Sequence, residues 1–128
     1  MSAMSDYLEN EILDHILRNA AYTPASTVYI GLSTGSFADG NSGTELSGSA
    51  YARQSIAFDA ASGGTTDNTS AIDFPTATGS WGTVSHWGLF DAATSGNLLI
   101  HGAFSAGKAV ASGDILRIAA GELDITAA

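Results

Sequence analysis

The chain has 128 residues, of which 13 are acidic and only four are basic, so its formal net charge is −9. This length predicts a single domain over 1–128. The apolar spacing described below divides it into a helical segment at 5–20 and a β domain at 26–126. Four scattered cations form no patch for nucleic-acid phosphates or anionic lipids, so we expect neither partner. Cysteine is absent, which excludes disulfides and thiolate chemistry.

The first predicted element is an amphipathic helix at 6–18. Its apolar side chains recur at helical spacing and are Leu8, Ile12, Leu13, Ile16, Leu17 and Ala20. Ser5 or Asp6 can cap the N-terminus, and Asn19 can end the helix. The apolar face either packs on the β domain or seats the domain on a neighbouring chain. The candidate interface residues on this helix are Leu8, Ile12 and Ile16.

After Pro24 the apolar spacing changes from about 3.6 residues to two, which is typical of strands with one buried face. The predicted strands are 28–33, 51–58, 72–74, 83–90, 98–104, 115–119 and 123–126. Two long polar segments, 35–49 and 60–69, are predicted loops. The pattern predicts a mainly β fold: an antiparallel sandwich or barrel of about six to eight short strands with one N-terminal amphipathic helix.

Two histidines lie on neighbouring strands of a predicted hairpin at 83–104. If Phe90 pairs with Asn97, His86 faces His101, and a carboxylate such as Asp73 could complete a metal site. The alternative is that both rings hydrogen-bond to neighbouring groups, and this alternative is favoured because the register is a guess. We therefore predict no metal.

The segment 39–45 places oxygen ligands at alternate positions, as calcium loops do, but Gly43 and Ala50 break the EF-hand pattern. An ordinary loop is the favoured interpretation. The sequence also lacks a nucleophile elbow and nucleotide-binding glycine motifs. We predict no catalytic residue, no cofactor and no enzymatic activity.

Aromatic residues cluster around the predicted hairpin. Trp81 and Trp87 each stand beside a glycine, which favours core packing across a curved sheet. The functional alternatives are a subunit interface, for which both are candidate residues, or a carbohydrate-stacking site with exposed rings.

The sequence resembles a family of small structural proteins of tailed bacteriophages, often labelled tail-fibre-like. The matching segments are 5–10, 12–15, 27–34, 51–53, 74–82, 86–91 and 119–126, and together they run along nearly the whole chain. The resemblance implies a part of the virion without implying which part, and it brings no active site with it.

The leading hypothesis is a non-enzymatic capsid decoration, or cement, protein on the outer surface of the head. The expected partners are the major capsid protein or other virion proteins, and a homotrimer is the expected assembly. The acidic charge suits an exterior position, because packaged DNA would repel it. The alternative is a tail or tail-fibre component that acts in adsorption and binds carbohydrate.

Overall fold

A computed structural model describes residues 2–40 and 43–127 and contains one helix and nine strands within them. In chain order the elements are β1 (Ser2–Met4), α1 (Asp6–Leu17), β2 (Val28–Ser33), β3 (Gln54–Ile56), β4 (Thr65–Asp67), β5 (Ile72–Asp73), β6 (Gly82–Phe90), β7 (Leu98–Val110), β8 (Arg117–Ile118) and β9 (Asp124–Thr126). Residues 41 and 42 of the predicted 35–49 loop lie outside the described residues.

The helix α1 begins and ends close to where the sequence predicts. Ser5 has an extended backbone, and its hydroxyl accepts a hydrogen bond from the Leu8 N–H at 3.2 Å, which makes it the N-cap. At the other end Asn19 adopts φ +54°, a left-handed conformation that asparagine tolerates better than most residues. The Ala20 N–H then donates to the Asp14 carbonyl at 3.1 Å, so the chain turns away after Arg18.

The strands form one five-stranded sheet, in the order β1-β7-β6-β2-β3, and two small sheets, β4-β9 and β5-β8. All the pairings are antiparallel. The predicted fold class is confirmed as mainly β with one N-terminal helix. Of the two architectures predicted, the structure is sandwich-like and not a closed barrel.

The main core lies on one face of the five-stranded sheet. Ile30, Leu32, Trp87 and Leu89 point there from its central strands, because alternate residues of a strand share a face. The small sheets and the residues next to their strands add apolar side chains to this core, which include Phe74, Leu116, Ile118, Leu123 and Ile125. A second, smaller cluster on the other side of the sheet consists of Phe37, Phe90 and Leu98.

One buried polar residue ties the small sheets together. The Asn68 side chain is 1% exposed, donates to the Ser70 and Ala119 carbonyls, and accepts from the Leu123 N–H at 2.9 Å. These bonds satisfy both ends of the amide, so burying it costs little.

Several predicted strand bounds are wrong. The segment predicted at 51–58 forms a strand only over Gln54–Ile56, whereas β7 continues to Val110 and not only to 104. The strands β1 and β4 were not predicted, and β4 falls inside the segment 60–69 that was predicted to be a loop. Both are three-residue strands without apolar alternation. They are strands because β1 pairs with β7 and β4 pairs with β9.

Candidate assembly surface

The helix α1 is attached to the sheet through its first turn. Leu8 is the one buried residue of the helix. Ser5, the N-cap residue that precedes the helix, is also fully buried. The Ser5 N–H donates to the Leu99 carbonyl at 2.8 Å, and its hydroxyl donates to the Leu98 carbonyl. The Asp6 N–H donates to the Asp39 carbonyl at 2.8 Å. The N-terminal end of the helix is therefore fixed against β1 and β7.

Beyond that turn, the apolar face of the helix is exposed. The exposed fractions are 37% for Ile12, 54% for Leu13, 70% for Ile16 and 73% for Leu17. These four residues, here called the helix stripe, lie on one side of the helix because side chains four apart are neighbours. A contiguous apolar patch of this kind is typical of an interaction site.

The five candidate interface residues divide into two groups. Ile12 and Ile16 belong to the helix stripe, while Leu8, Trp81 and Trp87 lie inside the chain. Trp81 and Trp87 are 5% and 3% exposed, which confirms the core interpretation. Neither ring offers a face to a sugar. Leu13 and Leu17, which complete the stripe, carry the same helical spacing in the sequence and could have been named with them.

All four lysine and arginine side chains, each within the described residues, pair with carboxylates of the same chain. The pairs are Arg18–Asp14, Arg53–Glu45, Lys108–Glu122 and Arg117–Asp73. The acidic residues that remain, including Glu9 at the start of the helix stripe, have no lysine or arginine partner among the described residues. The surface charge available to a partner is therefore negative.

The most elaborate polar cluster surrounds Arg53, whose side chain is 8% exposed. Its Nε donates to Glu45 Oε2 at 2.8 Å and its Nη2 to Glu45 Oε1 at 2.7 Å, a bidentate pair. Its Nη1 donates to the Ala92 and Ser95 carbonyls at 2.8 Å each, and the guanidinium lies 3.6 Å from the Phe90 ring centroid. Arg53 thus joins the 35–49 segment to the β6–β7 turn.

Tyr51 extends this cluster into the core. Its hydroxyl donates to Glu45 Oε2 at 2.6 Å and accepts from the Leu32 N–H at 2.9 Å. Burial, followed by the hydrogen bond to Glu45, raises the pKa of Tyr51 far above its usual range. The hydroxyl therefore stays protonated and holds the Glu45 carboxylate in place.

A cavity of about 290 Å³ lies beside this cluster, lined by apolar Phe37, Phe90 and Leu98 together with Glu45 and Arg53. The polar groups of Glu45 and Arg53 are directed at one another and at backbone carbonyls. The arrangement therefore stabilises the loops around the cavity.

The register under which the two histidines would face each other is not the one that the structure has. Phe90 pairs with Leu98 and the register shifts by one more residue at Leu89, so His86 lies opposite Ala103 and His101 lies opposite Gly88. His101 Nε2 is 2.7 Å from Asp39 Oδ1, and His86 Nδ1 is 2.7 Å from Ser85 Oγ, as the hydrogen-bonding alternative predicts. Within residues 2–40 and 43–127, no group of three potential metal ligands comes together.

The chain matches a known family of bacteriophage proteins along nearly its whole length. Residues 3–126 match a family model described as "Podophage GP4 fiber I protein gp80". The chain is therefore a structural protein of the bacteriophage virion. It belongs to the podophage GP4 fiber I protein family, which confirms the resemblance noted from the sequence. No curated protein matches the chain, and none of its described helices is long and apolar enough to span a bilayer.

Proposed function

We propose that this protein is a non-enzymatic structural subunit of a podophage tail fibre. The single observation that carries the proposal is the match of residues 3–126 to a fibre protein family, which covers the strands and the helix alike. The description of that family favours the tail alternative over capsid decoration of the head.

The polar chemistry of the chain supports a structural role. Glu45 accepts hydrogen bonds from both Tyr51 and Arg53, so its carboxylate holds the other two side chains in place. Their bonds join segments that are far apart in sequence, such as Arg53 and Ser95. A subunit that must keep its shape while bound to neighbours benefits from such cross-links between loops.

The test is the position of the protein on purified particles. Gold-labelled antibodies against the chain are applied to intact virions, which are then imaged by electron microscopy. The proposal predicts gold confined to the tail or its fibres. Gold distributed over the head would contradict it and favour decoration, and particles without gold, with antigen absent from the denatured virion, would remove the virion role.

A further inference from the structure

We propose that the helix stripe docks into an apolar groove, rimmed by lysine or arginine, on a different protein chain of the same particle. This proposal rests on the proposed function in one respect: the partner is taken to be another protein of the virion. It assigns to α1 the role of attachment element and defines the chemistry of the surface that receives it.

The first argument is the way the helix is attached. Leu8 and the Ser5 bonds fix the first turn, whereas the side chains of the next two turns reach solvent. Exposing four large aliphatic side chains to water is unfavourable, by roughly 25 cal/mol per Å² of apolar surface. An amphipathic helix that offers such a stripe is suited to a hydrophobic groove.

The second argument is charge complementarity. Glu9 lies three and four residues before Ile12 and Leu13, so its carboxylate stands on the same face at the start of the stripe. It is exposed and pairs with none of the chain's four Lys and Arg side chains. A cation on the rim of the groove would pair with Glu9 and gain long-range attraction from the net charge of −9.

The same charges argue against a second copy of this chain as the occupant. A second copy would bring its own Glu9 and the same net charge of −9, while its four cations are already paired. Like charges placed opposite each other at an interface oppose association. The groove therefore belongs to a chain that carries unpaired cations.

Photo-crosslinking in assembled virions tests the occupant directly. The photoreactive residue p-benzoylphenylalanine replaces Ile16, the virions are irradiated, and the crosslinked peptides are sequenced by mass spectrometry. We expect an adduct with a different virion protein, at a segment that contains apolar residues and Lys or Arg. An adduct with a second copy, an adduct with a segment that lacks cations, or no adduct would overturn the proposal. The same residue placed at exposed Thr94 in the β6–β7 turn is the control and should not give this adduct.

Substitutions supply an independent readout. Ile16→Asp and Leu17→Asp change exposed side chains, so we expect unchanged melting but at least a roughly ten-fold loss from the particle, typical of losing a central anchor. Glu9→Lys should reduce incorporation, and Glu9→Gln should do so less. The matched control is Ile115→Asp, since Ile115 is 55% exposed but lies outside the helix. Normal incorporation of the helix variants would overturn the docking proposal, whereas gold labelling of wild-type particles separately tests the fibre role.

Discussion

Arg53 and Glu45 form a bidentate ion pair across eight residues of chain, with Nη2–Oε1 and Nε–Oε2 separations of 2.7 and 2.8 Å. The pair is largely shielded from water, and the two remaining Arg53 bonds reach the β6–β7 turn. Loops at this end of the sheet are therefore positioned by one side chain. Removing Arg53 leaves the partly buried Glu45 carboxylate without a charged partner.

We predict that Arg53→Ala lowers the free energy of unfolding by about 3–5 kcal/mol, the range for a broken buried pair. Arg53→Lys keeps the charge but loses the planar fork, so its loss should be smaller yet clear. Urea unfolding followed by circular dichroism measures both. Arg18→Ala is the matched control, because the Arg18–Asp14 pair is exposed and should contribute less than about 1 kcal/mol. Equal effects at positions 53 and 18 would show that the cluster does not hold the loops.

The second prediction concerns the attachment of α1. Leu8→Ala should destabilise the protein by about 2–3 kcal/mol, because Leu8 is the buried anchor of the helix. Ile16→Ala should change stability by no more than about 0.5 kcal/mol, because its side chain is 70% exposed. Because Ile12 is 37% exposed, Ile12→Asp should lower the free energy of unfolding by less than the same substitution at a buried position. Thermal melts of the isolated protein check this order, and a large loss for Ile16→Ala would mean that the stripe packs within the chain.

The third prediction concerns Gly88 near the C-terminal end of β6. A Cβ there would lie 2.9 Å from Leu98 Cδ1, 3.2 Å from the Phe90 ring and 3.3 Å from the Phe37 ring. Gly88→Val should therefore destabilise by about 1–3 kcal/mol through overpacking. Gly40→Val is the control, since nothing lies within 4 Å of a Cβ at that position. Chemical denaturation of the two variants side by side gives the answer, and a stable Gly88→Val protein would contradict the packing of the small cluster.

The fourth prediction concerns acid sensitivity. Partial burial alone would raise the pKa of Glu122, but the bonds from Lys108 and the Ala119 N–H lower it below 4.5. A lowered pKa in the folded state stabilises the fold above the unfolded value, and this stabilisation is lost as the pH falls through the folded value. Glu122→Gln should therefore be less stable than wild type at pH 7, and the difference should vanish well below pH 4.5. A difference that is constant from neutral to acidic pH would refute the ion-pair account, and Lys108→Gln should follow the same pH course.

The elements with strong local signals could be predicted from the sequence. Ser5 and Asn19 are residue types that favour the beginning and the end of a helix. The alternation of Val28, Ile30 and Leu32 fits a strand and does not fit a helix. The hairpin of β6 and β7 is also predicted, because a polar segment at 91–97 separates two strand-like runs. In the structure the Asn97 N–H donates to Asp91 and closes this turn. In these places local preference and final packing agree.

The parts that depend on contacts distant in sequence could not be predicted. Phe90 pairs with Leu98 and not with Asn97, and the register shift after Leu89 leaves Leu99 without a partner residue in β6. Each of these two features displaces the register by one residue, and together they separate His86 from His101. The Arg53–Glu45 pair has no signal in the sequence beyond the rarity of basic residues. The exposure of Ile16 and Leu17 also lacks one, because a helical apolar face has the same spacing whether its own domain or another chain covers it.

The measurement that tests the central claim most directly is the number of copies in the virion. Quantitative mass spectrometry of purified particles, with labelled standard peptides from this chain and from the major capsid protein, gives their ratio. A tail-fibre subunit predicts a few copies for every hundred copies of the capsid protein. A ratio near one to one would contradict the account, because only a protein repeated over the head lattice reaches it.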